Sequence, residues 1–197
     1  MNHTNNSTNI GFGCQAFEIG VYIANRPNML EYQDIDTIVP LTGNEIYTIG
    51  QACGNGWRKV FNVYAKFIFA LNKKAFSHLQ QGATWQVFRD KHLLQSNSKT
   101  ALLFSPPKIT ADSNTIHIIC GRTYAKELRT YAKELRTYSK DSINSGKLDS
   151  QLTWLNEEFA VDQSQRLIVC PYFDYRQLSN VKIDYLCELI DQLIINS

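Results

Sequence analysis

The chain predicts an α/β fold: a parallel or mixed central sheet flanked by helices, with one long amphipathic helix over about 121–140. Three observations predict it. Thr100–Phe104, Thr115–Cys120 and Arg166–Cys170 are short apolar runs rich in Ile, Leu and Val, with the length of buried strands. The second and third are each followed by a helical pattern, and such alternation implies a sheet with helices on its faces. The segment Arg122–Leu128 recurs unchanged as Arg129–Leu135, and Arg136–Lys140 begins a third copy. Seven residues is close to two helical turns, so a repeated heptad lengthens a helix while rotating its faces by only ~20°.

The elements follow in order. Residues 1–12 read as a disordered tail, because Met1–Asn9 is polar, and 13–197 as a single α/β domain. Phe17–Ala24 reads as a strand stopped by Asn25-Arg-Pro-Asn28, and Ile35–Val39 as a shorter one. Thr42 followed by Glu45 is a capping-box signal for a helix running to about Cys53 and breaking at Gly54-Asn-Gly56. From Trp57 to Asn72 the polar residues Arg58, Lys59, Asn62 and Lys66 form one narrow stripe on an otherwise apolar helix, the mark of a central core helix. Thr84–Gln95 reads as another helix. Asp141–Ser150 reads as a loop, Leu152–Phe159 as a short helix, and Ser179 or Asn180 caps a terminal helix through about Ile195.

The repeat helix divides its surface sharply. At ~100° per residue, Arg122, Lys126, Arg129, Lys133, Arg136 and Lys140 fall within an arc of roughly 80°. Tyr124, Leu128, Tyr131, Leu135 and Tyr138 gather opposite, at the alternating spacings of a packing seam. Like charges at spacings of three and four along the stripe cost about 1–2 kcal/mol together, less in salt. Asp184, Glu188 and Asp191 on the terminal helix are candidate partners that would relieve this cost. The stripe, Lys126, Arg129, Lys133 and Arg136 above all, is otherwise a candidate surface for nucleic acid or an acidic partner. The Tyr/Leu seam is a candidate homodimer contact. A perfect repeat also suggests an inserted duplication, which would set Leu135, Arg136 and Tyr138 near or beyond the domain edge, with Tyr124 and Leu128 better buried.

Composition bounds the partners. A net charge of +2 is too small to name nucleic acid as a partner by itself, so any basic footprint must be local. The cysteines are five, scattered, and without a CxxC pair. They fit free thiols in a reducing compartment better than disulfides or zinc. No metal site or cofactor motif is present, no apolar run nears the ~20 residues that span a bilayer, and the expected location is cytoplasmic.

Ligands of open α/β sheets bind outside the carboxyl ends of the strands. Three segments follow such ends: Ser105-Pro-Pro-Lys108, Cys120-Gly-Arg122 and Pro171–Ser179. If the strands are parallel neighbours, one rim collects Ser105, Lys108, Arg122, Tyr172, Asp174, Tyr175 and Arg176. Asp174 is the candidate catalytic base, Arg122 and Arg176 suit a phosphate or carboxylate, and Tyr172 suits a planar base. Gly50–Trp57 is the other glycine-rich segment. It matches neither a dinucleotide nor a Walker loop, and Cys53 within it would be a nucleophile only with a histidine beside it.

Ile116–Leu128 resembles the late strand, glycine and helix of uracil-DNA glycosylase-like proteins. Leu167–Ser179 stands where that superfamily has a strand and a His-Pro-Ser loop, and Gly50-Gln-Ala-Cys-Gly54 resembles its first glycine-rich motif. Together these segments cover less than a fifth of the chain. The resemblance implies a site for a nucleobase or nucleotide. This chain has no Asp in the first motif and no His in the second, so ordinary uracil excision is not expected. The chain also resembles a bacterial family of unknown function. Two functions are thus in view: nucleobase or nucleotide binding at the strand ends, or a non-enzymatic interaction protein using the basic face of 122–140.

Overall fold

The computed structural model describes residues 9–109, 114–138 and 152–195, with side chains throughout except over 131–138. Its strands are β1 (Gly11–Gly13), β2 (Ile19–Tyr22), β3 (Ile38–Val39), β4 (Thr100–Leu103), β5 (Ile116–Cys120), β6 (Thr153–Trp154), β7 (Ala160–Asp162) and β8 (Leu167–Cys170). They form one eight-stranded mixed sheet in the order β3-β1-β4-β2-β5-β8-β7-β6. The central β4, β2, β5 and β8 are parallel. β1 runs against β4, and β7 runs against β8. The strands anticipated at Thr100, Thr115 and Arg166 are therefore parallel, but β2 lies between the first two of them.

The helices are α1 (Leu30–Gln33), α2 (Glu45–Ala52), α3 (Asn55–Ala70), α4 (Lys73–Phe76), α5 (Trp85–Lys91), α6 (Arg122–Tyr138) and α7 (Asn180–Ile195). Strand alternation sorts the core onto two faces. Val21, Leu102, Ile118 and Ile168 pack with α3, α5 and α7, while Tyr22, Leu103, Ile119 and Val169 pack with Ala125 and Leu128 of α6. α3 is the central helix its apolar sequence predicts: Phe61, Tyr64, Ala65, Phe67 and Ile68 are all fully buried. Burying each such aromatic or aliphatic side chain contributes about 1.5–3 kcal/mol.

Local chemistry redrew several boundaries. The tail expected over 1–12 overlaps β1, where Phe12 is fully buried; residues 1–8 and the anticipated loop at 141–150 lie outside the described residues. Glu45 reaches back to the Thr42 amide as a capping box requires, but Thr42 also gives its hydroxyl to Glu45, and the helix starts only after a left-handed Asn44. The short helix expected over Leu152–Phe159 is instead β6 and a hairpin turn. Asn156 explains the change: its side-chain oxygen accepts from the amides of Glu158 and Phe159 at 2.9 and 2.8 Å, a local bond that competes with helix. The terminal helix does not neutralise Lys126 and Arg129, the described part of the stripe beyond Arg122, because α7 and α6 pack on opposite faces of the sheet. On α6, Leu128 is buried and Tyr124 half-buried, so this part of the Tyr/Leu seam is occupied by its own domain. The side chains of Tyr131, Lys133, Leu135, Arg136 and Tyr138 lie outside the described set. No helix among the described residues is long and apolar enough to cross a membrane.

Candidate functional site

The four parallel strands send four chain segments to one edge: Ile23–Asn28 after β2, Phe104–Lys108 after β4, Gly121 and α6 after β5, and Pro171–Ser179 after β8. A fifth element arrives from below. Trp57, in the first turn of α3, meets Phe104 edge-on at 6.3 Å. Two turns later Tyr64 donates toward the carbonyls of Ile19 and Ala101, at the amino ends of the strands. α3 therefore runs antiparallel to the sheet with its amino end at the rim. The left-handed Gly54 (φ +85°), a conformation that favours glycine, makes the turn into it, with open space around the position of a Cβ.

The loop after β8 is pinned at its base. Phe173 is fully buried against Tyr64 and Phe67, with ring centroids 5.6 and 6.1 Å away. The next residue, Asp174, meets Lys59 of α3 at 2.7 Å. Its other oxygen accepts from the Arg176 amide at 3.0 Å, and its carbonyl accepts from the amides of Gln177 and Leu178. Burial pushes the Asp174 carboxyl up, but the Lys59 ammonium and the Arg176 amide outweigh it and hold the group below the usual aspartate range. Lys59 also lies 5.0 Å from the centre of the Tyr175 ring, and Arg176 stands 5.9 Å from the same ring. Tyr175 itself is 53% exposed. The contact joins the two segments that the sequence presents separately, the glycine-rich turn and the loop after the last strand.

The remaining predicted residues divide. Tyr172 is half-buried and shares a hydrogen bond with Asn25 across the end of β5, with burial pushing its phenol up. Ser105 accepts from the Ile10 amide at 3.1 Å and so fastens the start of β1. Lys108 is half-buried, and burial pulls its ammonium pKa down. Arg122 turns the other way: it donates to the Glu157 carbonyl at 3.1 Å and lies 4.9 Å from the centre of the Trp154 ring, at the β6–β7 hairpin. Lys59, Asn25 and Arg26 are the rim residues missed in the sequence. Lys59 stands out in the sequence only as part of the narrow polar stripe of the central helix, three residues beyond Gly56. Arg26 donates to the Gln33 carbonyl at 2.9 Å and approaches the Phe104 ring at 5.8 Å.

Among the described residues, no histidine is bonded to Cys53. His78 pairs with Glu18 at 2.7 Å, His92 stacks on Phe88, and His117 is buried beside Tyr22. The described residues hold no group of three or more His, Cys, Asp or Glu arranged for a metal ion.

The chain belongs to a family of unknown function, DUF6942, which matches residues 10–191. Comparison with curated proteins and with solved structures finds no match.

Proposed function

We propose that the α3 side of the carboxyl rim binds a nucleotide-like ligand, a planar base joined to an anionic group. The contact between Lys59 and Asp174 carries this reading, because it sets an exposed aromatic ring beside the amino end of a long helix. The first amides of a helix lack partners within it, and the helix dipole favours an anion there. Asp174 offsets the Lys59 charge, and the exposed Arg58 and Arg176 add positive charge around that end. Tyr175 supplies the stacking surface. Asp174, ionised and held by Lys59, serves as a positioning residue rather than a proton acceptor. The segments Ile116–Leu128 and Leu167–Ser179, read as resembling uracil-DNA glycosylase-like proteins, would fit a base-sized ligand and imply no particular reaction.

The test is a thermal-stability panel of nucleobases, nucleotides and single-stranded DNA. Nucleotides should raise the melting temperature more than bases alone, and Tyr175→Ala and Arg176→Ala should each weaken binding by about tenfold. No shift at millimolar ligand would reject the site. A second reading uses the repeat helix, on which Lys126 and Arg129 are exposed. There, replacing Lys126, Arg129, Lys133 and Arg136 with Gln should abolish a salt-dependent interaction with DNA or an acidic partner.

A further inference from the structure

The rim site continues down the outer surface of α3. Lys59, Asn62 and Lys66 follow one another at spacings of three and four, so they form a single stripe along the helix. At the rim end Lys59 stands 5.0 Å from the centre of the Tyr175 ring, and Arg176 stands 5.9 Å from the same ring. Two turns farther down, Lys66 stands 5.2 Å from the centre of the Trp85 ring, in the first turn of α5, and Arg89 stands 5.6 Å from it. Between the rings, the Asn62 side-chain oxygen accepts from Arg89 at 2.5 Å and ties the stripe to α5. The arrangement is an aromatic ring with two cations, repeated after seven residues of helix.

Tyr175 is exposed and Trp85 part-exposed. Asp174 pairs with Lys59 and Asp90 with Arg89, both at 2.7 Å. Lys66 and Arg176 form no ion pair among the described residues, so the stripe keeps an excess of positive charge. A stripe that only solvates its helix needs the charges and not the rings. Single-stranded nucleic acid uses both: cations follow its phosphates, and unpaired bases stack on aromatic rings whatever their sequence. Bases within a duplex stack on one another and offer these rings no face. Seven helical residues cover ~10 Å, about three nucleotides of a stacked strand at ~3.4 Å each. We propose that this stripe is a track for single-stranded nucleic acid, with one base on Tyr175, another on Trp85, and phosphates drawn to Arg176 and Lys66. It rests on the rim reading for its first nucleotide and extends that site to a polymer.

The affinities of the full chain for thymidylate and uridylate strands of one, two, four and six nucleotides test the proposal. Affinity should rise about tenfold between the dinucleotide and the tetranucleotide, where a strand first reaches Trp85. Trp85→Ala should weaken tetranucleotide binding about tenfold and spare the mononucleotide, which the rim holds. Lys66→Gln leaves the aromatic rings in place and should flatten the slope of log affinity against log salt by about 0.7. Binding of either sugar series in this pattern supports the track. If mononucleotides bind but added length contributes nothing, or if both variants bind the tetranucleotide like the parent, the track is wrong and the rim site stands. A duplex that binds as tightly as a single strand of its length also overturns the track. If no mononucleotide and no longer strand binds, the track and the rim site both fall.

Discussion

β5 and β8 are adjacent and in register, with Cys120 opposite Cys170, yet the chain leaves them in opposite directions. After β8, Phe173 plunges into the α3 face and Asp174 meets Lys59. After β5, a left-handed Gly121 (φ +100°) starts α6 on the other face, and Arg122 reaches the β6–β7 hairpin. Two arginines that look alike in the sequence, Arg122 and Arg176, therefore serve different neighbourhoods. Following a strand's carboxyl end puts a residue at the rim. Which face its segment covers decides the site it joins.

The largest test of this comparison is the anchor itself. Phe173→Ala removes a fully buried ring from between Tyr64 and Phe67 and should cost about 3–5 kcal/mol in denaturant unfolding. A cost below 1 kcal/mol would show the loop to be held some other way.

The α6 face has its own signature. Burial pulls the His117 pKa down from 6.5 to about 4. The folded protein then resists a proton that the unfolded chain accepts, so this contribution is present above pH 6.5 and is lost as pH falls toward 4. The whole window is worth about 3 kcal/mol. His117→Asn should flatten the fall in stability across it, and an unchanged slope would place the titration elsewhere. Asp174 and Glu45, whose pKa values are lowered, contribute stability above their unfolded values and lose it only at lower pH.

Smaller again is the rim contact. Lys59 and Asp174 are mostly but not wholly buried, so Lys59→Met or Asp174→Asn should cost about 1–3 kcal/mol. A double-mutant cycle with no coupling between the two would remove the link between α3 and the loop. Least of all, Lys126→Gln or Arg129→Gln should change stability by no more than about 0.5 kcal/mol, because both residues are exposed and repel their like-charged neighbours. A larger loss would show that the stripe packs against something.

The fold was legible where periodicity is strong. The short apolar runs became β4, β5 and β8, the apolar pattern after Trp57 became the central helix, and the heptads became α6. It failed where one side chain sets the backbone: Asn156 turned an expected helix into a hairpin. The candidate site was half legible. Tyr172, Asp174, Tyr175 and Arg176 share a rim because they share a loop. Lys59 joins them from more than a hundred residues away, and only the position of β2 between β4 and β5, with α3 beneath, brings it there. Such contacts depend on strand order, which local pattern does not encode.

NMR amide mapping of the full chain with a purine nucleoside monophosphate tests the central claim most directly. The α3 side of the rim should respond, with shifts at Gly54, Gly56, Lys59, Tyr175 and Arg176 and none at Arg122, Lys126 or Arg129. Shifts confined to α6, or none at millimolar nucleotide, would contradict it.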